Sequence, residues 1–216
     1  LGDVYKRQVK DGTTIKIEVN GTKRGILGDT EKIQLCERAK EEFGMTCFAN
    51  IVSWSQLFGG KIVAALSRQH PRDLFDCRGI TSDDFHAVKS GFMLCLLGSD
   101  KPIIESLQPN PIDQRDALTN QFDGMTDEPF NYDDYQNSRT NLIEVVNNGF
   151  TDEDKEFLIS FEQGSPDWGK CCAGDLSDYP SVRWKLMNIA KLKSKNPAKH
   201  EEGIEKLVDY FNRDKS

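Results

Sequence analysis

Apolar and polar side chains alternate in the N-terminal part of the chain. Residues 14–20 follow this period-two pattern and are rich in β-branched side chains, which predicts a strand. Ile15, Ile17 and Val19 are expected to face inward, whereas Glu18 lies on the opposite face. This part of the chain is therefore expected to belong to a sheet.

Two other segments extend the predicted sheet. Asn20 and Gly21 form a turn signal, and residues 23–27 are the candidate hairpin partner that follows it. Residues 45–52 are predicted as a further strand. The charged residues 31–43 lie between these segments, and their pattern fits either a helix or a loop.

From residue 53 onward, apolar residues recur at helical spacing and capping residues separate the runs. Ser53 and Gln56 have the spacing of a capping box, and Pro71 fits the first turn of the next helix. Thr81 and Thr151 are typical N-cap residues. The predicted helices cover residues 53–69, 71–79, 81–97, 113–122, 132–148, 151–163, 181–193 and 197–211. Strands followed by many helices predict an α+β fold, with part of a mixed sheet followed by a predominantly helical C-terminal region.

The composition limits the classes of protein that the chain can represent. Its 216 residues are enough for one large domain or two small ones. The 28 basic and 35 acidic residues give a net charge of −7, which argues against a protein that coats nucleic acid or an anionic membrane over its whole surface. No apolar run approaches the roughly 20 residues of a membrane helix. The cysteines form no C-x-x-C pair and fit a reducing compartment, so a cytoplasmic protein without a membrane partner is expected.

Charge is distributed unevenly along the helical region. Residues 100–178 hold 18 acidic residues and 5 basic ones, so this portion should repel phosphates. Residues 179–200 hold six basic residues and no acidic one. The basic segment is a candidate for binding an anion, with a solvated helix face as the alternative.

The first residues of the chain match a sequence of artificial origin. Residues 3–8 (DVYKRQ) are identical to the translated end of a transposon adaptor used in sequencing libraries. Residues 1–8 are therefore interpreted as a non-native scar and excluded from fold reasoning, the alternative being an ordinary basic tail. On this interpretation the native sequence starts near Val9 and an N-terminal portion is absent.

Five charged residues gather around Pro71, where two predicted helices meet. They are Lys61, Arg68, Arg72, Asp73 and Asp76. Lys61 and Arg68 lie two helical turns, about 10.5 Å, apart on one face, a separation suited to a polyphosphate. The alternative is that Arg72 and Asp76 form a surface ion pair and that Asp73 caps the helix. Because grouping five charges among apolar residues costs desolvation unless a ligand or network satisfies them, we interpret the group as a site.

The same region carries a family resemblance. The matching residues are SWSQLF at 53–58, GK at 60–61, AA at 64–65 and RQHPRDLFD at 68–76. Together with YPSVRWKLMNI at 179–189, they resemble the AbiEii/AbiGii toxin family of nucleotidyltransferases. The resemblance implies a DNA polymerase beta-like core in which residues 9–52 are a remnant of the sheet, followed by a helical region over residues 53–216. It also implies a toxin of a toxin–antitoxin or phage-defence system, which moves a nucleotide from a nucleoside triphosphate (NTP) to an acceptor such as tRNA.

The resemblance assigns roles to the five charged residues. Lys61 matches the lysine of the family and is expected to hold the triphosphate, with Arg68 and Arg72 as further nucleotide-binding residues. Asp73 and Asp76 match the R-D-x-x-D carboxylates and are expected to act in catalysis with Lys61. Their separate roles do not follow from their spacing.

The resemblance also implies cofactors and a protein partner. Enzymes of this superfamily use two divalent ions, Mg²⁺ or Mn²⁺, and Glu18 is the candidate for the strand-borne metal ligand, with a solvent-facing carboxylate as the alternative. The resemblance implies a metal-binding D-x-D pair that follows a Gly-Ser turn, and no such motif is found in the sequence, so this chain is expected to be an inactive fragment. A cognate antitoxin protein is the expected partner.

Two other functions fit the same residues. His70, Asp73 and Asp76 could be ligands of a metal-dependent nuclease or phosphohydrolase, although a lone histidine at a helix break is more often structural. The chain could also be a non-catalytic helical module that binds a partner. Trp54 and Trp184 fit base stacking on the one hand, or core or anchoring aromatic residues on the other, and the apolar patterns beside them favour the second interpretation.

Overall fold

The computed structural model describes residues 5–10, 13–18 and 25–212, the first two ranges as strand backbone. The strands are β1 (Tyr5–Lys10), β2 (Thr13–Glu18), β3 (Glu31–Gln34) and β4 (Phe48–Ile51). β1 pairs antiparallel with β2, with Tyr5 opposite Glu18, and β3 pairs antiparallel with β4. The strand predicted over residues 14–20 is confirmed for residues 14–18, while residues 19 and 20 lie outside the described residues. The strand predicted over residues 45–52 is confirmed for residues 48–51.

Two other segments of this region differ from what the sequence pattern predicts. Residues 31–43 form neither one helix nor one loop, because β3 is followed by helix α1 (Glu37–Phe43). Residues 25–27 form no strand, so the predicted hairpin partner is wrong over its described part. The turn predicted at residues 20 and 21 lies outside the described residues, as do residues 1–4 of the interpreted scar.

Helices dominate the chain from residue 53 onward, which confirms the α+β class with mostly helical content. They are α2 (Trp54–Arg68), α3 (Pro71–Asp76), α4 (Ser82–Leu97), α5 (Ile103–Leu107), α6 (Arg115–Ala117), α7 (Tyr132–Asn148), α8 (Asp152–Glu162), α9 (Pro180–Lys195) and α10 (Pro197–Asn212). A π-helical turn, Leu118–Phe122, continues α6. No helix of the described residues is long and apolar enough to cross a membrane.

The helix boundaries follow the predicted caps. Thr81 and Thr151 each bond reciprocally with an aspartate three residues later, which satisfies backbone donors at the helix start. At α2 only half of the predicted capping box forms. The Ser53 hydroxyl accepts from the Gln56 N–H at 3.3 Å, but the Gln56 side chain turns elsewhere.

Gln56 fastens the segment that precedes β3 to helix α2. Its side chain accepts from the Leu27 N–H at 2.8 Å and donates to the Gly25 carbonyl at 2.9 Å. The Tyr179 hydroxyl donates to the Ile26 carbonyl from the other side, at 3.2 Å. Residues 25–27 are therefore held between α2 and the start of α9.

The core is built around α4, whose residues 91–97 are all buried. A helix that is apolar on all sides requires neighbours on all sides, and α4 packs against α2, α5, α7 and α9. The contact with α2 is closest at Gly59, where an added Cβ would lie 2.1 Å from the backbone nitrogen of Phe92. Glycine is required there because the two backbones touch.

Two buried lysines form polar contacts that connect helices α8 and α9 to α4 and to the segment that follows it. Lys89 of α4 lies 2.6 Å from Asp154 of α8, and both side chains are almost fully buried. Burial opposes ionisation of Asp154, but the hydrogen bonds from Lys89 and Thr151 outweigh it and lower the pKa of the carboxyl. Lys185 of α9 donates to the Ser99 carbonyl at 3.0 Å, and burial lowers the pKa of its ammonium group.

Candidate functional site

The charged residues of the site lie on both sides of a sharp turn between α2 and α3, which we call the elbow (residues 69–71). Gln69 ends α2 in the left-handed region, with φ 51°, and is buried. Its side chain donates to the Asn110 carbonyl at 2.7 Å and accepts from the Ile112 N–H at 3.2 Å. Pro71 opens α3, as predicted from its fixed φ. The elbow turns α3 back towards α2.

His70 has a structural role in the elbow. Its Nδ1 atom accepts from the Arg72 N–H at 3.2 Å, which caps the N-terminus of α3, and its Nε2 atom lies 3.2 Å from Gln121 Oε1. Both ring nitrogens therefore have partners within the protein. Asp73 does not cap the helix, contrary to the alternative considered for it.

Two ion pairs join α2 to α3 across the elbow. The Lys61 Nζ atom lies 2.6 Å from Asp76 Oδ2, and the Arg68 guanidinium lies 2.8 Å from Asp73 Oδ1. The alternative considered for α3, a surface ion pair between Arg72 and Asp76, does not form, because Asp76 binds Lys61 instead. Arg72 is exposed and has no ion-pair partner in the part of the chain that the structure describes.

The two ion pairs differ in their access to solvent. The side chains of Lys61 and Asp76 are each 38% exposed, so a ligand can reach both. Asp73 is 8% exposed as a residue, and its Oδ2 atom is buried without a hydrogen-bond partner. A buried carboxylate oxygen without a donor is costly, so Asp73 retains an acceptor that a nearby donor could use.

An apolar cavity of about 210 Å³ lies beside Lys61, and we call it the aromatic cavity. Its lining residues come from α2, from the segment after α3 and from α4, with Asp76 at one edge. They are Trp54, Phe58, Ile62, Asp76, Cys77, Arg78, Gly79, Ile80, Asp84, Ala87 and Val88. The Lys61 Nζ atom lies 5.9 Å from the centre of the Phe58 ring, so this cation is close to the aromatic wall.

Trp54 forms the outer part of that wall. It is 66% exposed, and its ring centre lies 3.8 Å from that of Phe58. The core interpretation of Trp54 is therefore wrong. Cys77 contributes a neutral thiol, because burial, with a smaller contribution from Asp76, raises its pKa to about 12.

Arg68 faces a second cavity, of about 440 Å³, on the other side of α2. Residues 60, 63, 64, 67 and 68 of α2 line it together with residues 99–101. Lys101 closes one end by donating to the Ser67 carbonyl at 2.6 Å. Lys61 and Arg68 thus lie near different cavities, and the five charged residues do not line a single pocket.

The described residues offer no ready metal centre. No group of three or more His, Cys, Asp or Glu side chains among them is placed to hold a metal ion. Glu18 ends β2 opposite Tyr5, and its role as a metal ligand stays a prediction. The carboxylates of Asp73 and Asp76 are already bound to cations. This donor set does not fit a pair of divalent ions.

The basic segment, residues 179–200, contains all of α9 and the start of α10. Among its cations, Lys185 is buried, whereas Arg183, Lys191, Lys193 and Lys195 are exposed. Trp184 is 60% exposed on the same helix, so the core interpretation of this tryptophan is wrong as well. The helix therefore presents cations and an exposed aromatic ring together.

Sequence reasoning missed several residues around the site. The wall formed by Trp54 and Phe58 has an i,i+4 spacing that could have been noticed on α2. Arg78 and Asp84 gave no local signal, because their place in the cavity depends on how α4 packs against α2.

Comparison with known proteins gives one match. A family model described as nucleotidyl transferase AbiEii toxin, type IV TA system, matches residues 3–188. Searches of curated proteins and of solved structures find no match to the chain.

Proposed function

Because the chain belongs to the nucleotidyl transferase AbiEii toxin family of type IV toxin–antitoxin systems, we propose that it transfers a nucleotide from an NTP to a tRNA acceptor. The inactive fragment expected from the missing D-x-D pair is the alternative that the central experiment distinguishes from this proposal. The family match covers the elbow and both ion pairs. Each of the five charged side chains on either side of the elbow then contacts the nucleotide or positions another residue.

The observation that carries the proposal is the ion pair between Lys61 and Asp76. Both side chains are partly exposed, and pairs of this kind contribute only about 0–1 kcal/mol to stability. A triphosphate, with several negative charges, can therefore bind the Lys61 ammonium at little cost. Asp76 holds that ammonium beside the aromatic cavity before the nucleotide arrives, which makes it a positioning residue.

Arg68 and Arg72 supply further positive charge around the elbow. The three cations and two carboxylates leave one net positive charge, and Arg72 is free to meet a phosphate. Arg68 stays oriented by Asp73 at 2.8 Å. We assign Lys61 and Arg72 to contact with phosphate oxygens, and Arg68 to a supporting cation at the second cavity.

The chemical step is a substitution at the α-phosphorus of the NTP. An oxygen of the acceptor hydroxyl forms a bond to that phosphorus, the bond to the bridging oxygen of the β-phosphate breaks, and pyrophosphate leaves. The hydroxyl proton passes to solvent. Lys61 lowers the barrier by stabilising the negative charge that develops on the phosphate oxygens.

A divalent ion, Mg²⁺ or Mn²⁺, is part of the proposal, since reactions of this class use such ions to neutralise phosphate charge. Glu18 remains the proposed ligand. The described carboxylates do not form a suitable set, so no step above depends on a metal.

The surface of α9 supports an RNA acceptor. Exposed cations attract the phosphate backbone, and an exposed tryptophan offers a face on which a base can stack. Arg183, Lys191 and Lys195 provide the charge, and Trp184 provides the ring. In a chain of net charge −7, such a local basic surface is the best candidate for a polyanion.

The biological setting is also a proposal. A cognate antitoxin is inferred as the protein partner, in the cytoplasm and with a role in phage defence. Affinity capture of the tagged chain together with the protein encoded by the neighbouring gene tests this directly. A complex that survives gel filtration is expected.

The central experiment measures transfer from α-labelled NTPs to tRNA by the 216-residue chain, with Mg²⁺ or Mn²⁺ present. Lys61→Ala is compared with Lys206→Ala, because Lys206 also forms a partly exposed ion pair, with Glu202 at 2.7 Å. Loss of an electrostatic contact to the transition state is expected to slow transfer about 100-fold in the first variant and not in the second. Undiminished transfer by Lys61→Ala, or none by the wild-type chain with any NTP, would contradict the proposal.

A further inference from the structure

We propose that the aromatic cavity binds the base of the NTP, stacked against Trp54. This inference rests on the proposed function for one point only, the position of the triphosphate at Lys61. It assigns the cavity to a flat heterocyclic ring, and it explains why an apolar cavity opens beside a cation.

The size of the cavity suits a single ring system. Pockets for drug-sized ligands measure roughly 300–1,000 Å³, whereas this cavity measures about 210 Å³. Ile62 and Val88 are buried and give the cavity apolar lining, and Ala87 leaves space because its side chain is small. The cavity therefore offers room for a base.

Trp54 is the feature that points to an aromatic ligand. A tryptophan that is two-thirds exposed leaves a large apolar surface in water, which is unfavourable unless something covers it. Phe58 supports one side of the ring at a centre-to-centre distance of 3.8 Å. Because Trp54 also lines the cavity, a base that enters would lie against its ring, and such stacking tolerates any base.

The position of Lys61 sets the direction in which a nucleotide would lie. Its ammonium group is 5.9 Å from the centre of the Phe58 ring and 2.6 Å from Asp76, which forms one edge of the cavity. The charged end of the ligand therefore stays outside with Lys61, and the apolar end points inward.

Two polar groups at the cavity are held in place by the protein. Arg78 lies over the Phe75 ring at 3.5 Å and forms an ion pair with Glu128. Asp84 accepts from the Thr81 N–H at 3.0 Å, and bonds to Thr81 lower the pKa of its carboxyl, so it is ionised at neutral pH. These fixed groups can orient the edge of a base without closing the cavity.

The test separates binding of the base from binding of the phosphates. Isothermal titration calorimetry measures the affinities of ATP, GTP, CTP, UTP and inorganic tripolyphosphate for the full chain. Trp54→Ala removes the stacking surface, Trp54→Phe keeps a smaller one, and Ala87→Leu fills the cavity while preserving helix propensity. Phe43→Ala is the matched control, because Phe43 is 68% exposed on α1 and does not line the cavity.

We expect Trp54→Ala and Ala87→Leu to weaken the best-bound NTP about tenfold, with tripolyphosphate unchanged. Trp54→Phe is expected to retain most of the affinity, and Phe43→Ala all of it. Equal binding of NTPs and tripolyphosphate by the wild-type chain would overturn the inference. The inference would also be overturned if Trp54→Ala lost affinity for the NTP and for tripolyphosphate equally, or if it lost no affinity for the NTP.

A parallel titration of Lys61→Ala distinguishes this inference from the proposed function. If tripolyphosphate still binds Lys61→Ala as it binds the wild type, the triphosphate site is wrong. The base site is then supported if Trp54→Ala still loses NTP affinity. If Lys61→Ala loses tripolyphosphate while Trp54→Ala keeps NTP, the base site is wrong and the triphosphate site is supported.

Discussion

Gly91 of α4 donates its backbone N–H to the Ser55 hydroxyl of α2 at 2.9 Å. At this point the two helices approach so closely that a Cβ on Gly91 would lie 2.2 Å from the backbone of Ser55. Trp54 is the neighbour of Ser55, and Ala87 lies one helical turn before Gly91. The contact therefore fixes the width of the aromatic cavity.

Gly91→Ala is predicted to destabilise the protein despite the better helix propensity of alanine. The added methyl group must push two backbones apart, and overpacking of this kind costs about 1–3 kcal/mol or more. Chemical denaturation measures the change in the free energy of unfolding. Gly203→Ala is the control, because nothing lies within 4 Å of a Cβ at that helical position.

For Gly203→Ala we expect a gain of up to about 1 kcal/mol, since alanine loses less backbone entropy than glycine in a helix. A Gly91→Ala variant as stable as Gly203→Ala would show that α2 and α4 can separate without cost.

Exchange of the charges at Lys61 and Asp76 is predicted to preserve the fold and abolish transfer. The double variant Lys61→Asp/Asp76→Lys keeps an ion pair across the elbow, so the free energy of unfolding should change by less than about 1 kcal/mol. It moves the cation away from the position assigned to the triphosphate. Thermal unfolding, NTP binding and nucleotide transfer are measured on the same sample. Retained NTP binding would mean that the location of the cation at the elbow is unimportant.

Removal of Lys89 is predicted to be far more harmful than removal of an exposed lysine. Lys89→Met leaves Asp154 buried without its cation, which costs about 3–5 kcal/mol, whereas Lys206→Met should cost less than about 1 kcal/mol. Urea denaturation at neutral pH compares the two variants. Similar losses in both would contradict the structural importance of the buried pair.

The same pair predicts a loss of stability in acid. The pKa of Asp154 is lowered in the folded state, so the folded protein binds this proton less readily than the unfolded chain does. The contribution of Asp154 to stability is therefore present above the ordinary pKa of about 3.9 and is lost as the pH falls through the lowered value. Unfolding of the wild type and of Asp154→Asn between pH 2 and 6 should show a weaker dependence on pH in the variant.

For Glu162 we predict the opposite dependence of stability on pH. Burial raises the pKa of its carboxyl, against smaller opposing effects of Lys185 and His200, and its Oε2 atom has no hydrogen-bond partner. The folded state therefore holds this proton more tightly, and stability falls as the pH rises from the unfolded pKa through the raised value. Glu162→Gln should gain stability relative to the wild type between pH 4 and 7. A constant difference over that range would contradict the raised pKa.

Local signals in the sequence predicted most of the helices. The helix over residues 132–148 has the predicted bounds, and those beginning after Thr81 and Thr151 start at the predicted caps. These signals lie within a few residues of the feature they specify, because a cap bonds the backbone of its own first turn. The lengths of the strands were predicted less well, since strand pairing depends on distant residues.

The sequence identified the charged residues of the site, but it did not predict which of them contact one another. Lys61 was placed near Asp76, yet spacing within α3 favoured Arg72 as the partner of that carboxylate. The observed pair depends on the angle of the elbow, which a one-dimensional pattern does not contain. Lys89 and Asp154 were missed for a similar reason, because they are 65 residues apart and meet only when α8 packs on α4.

The buried side chain of Gln69 links the elbow to a loop that lies 41 to 43 residues further along the chain. Its bonds to the backbone at Asn110 and Ile112 couple the direction of α3 to a loop that is distant in the sequence. Because α3 carries both Asp73 and Asp76, the same bonds help to keep the two carboxylates beside the cations of α2.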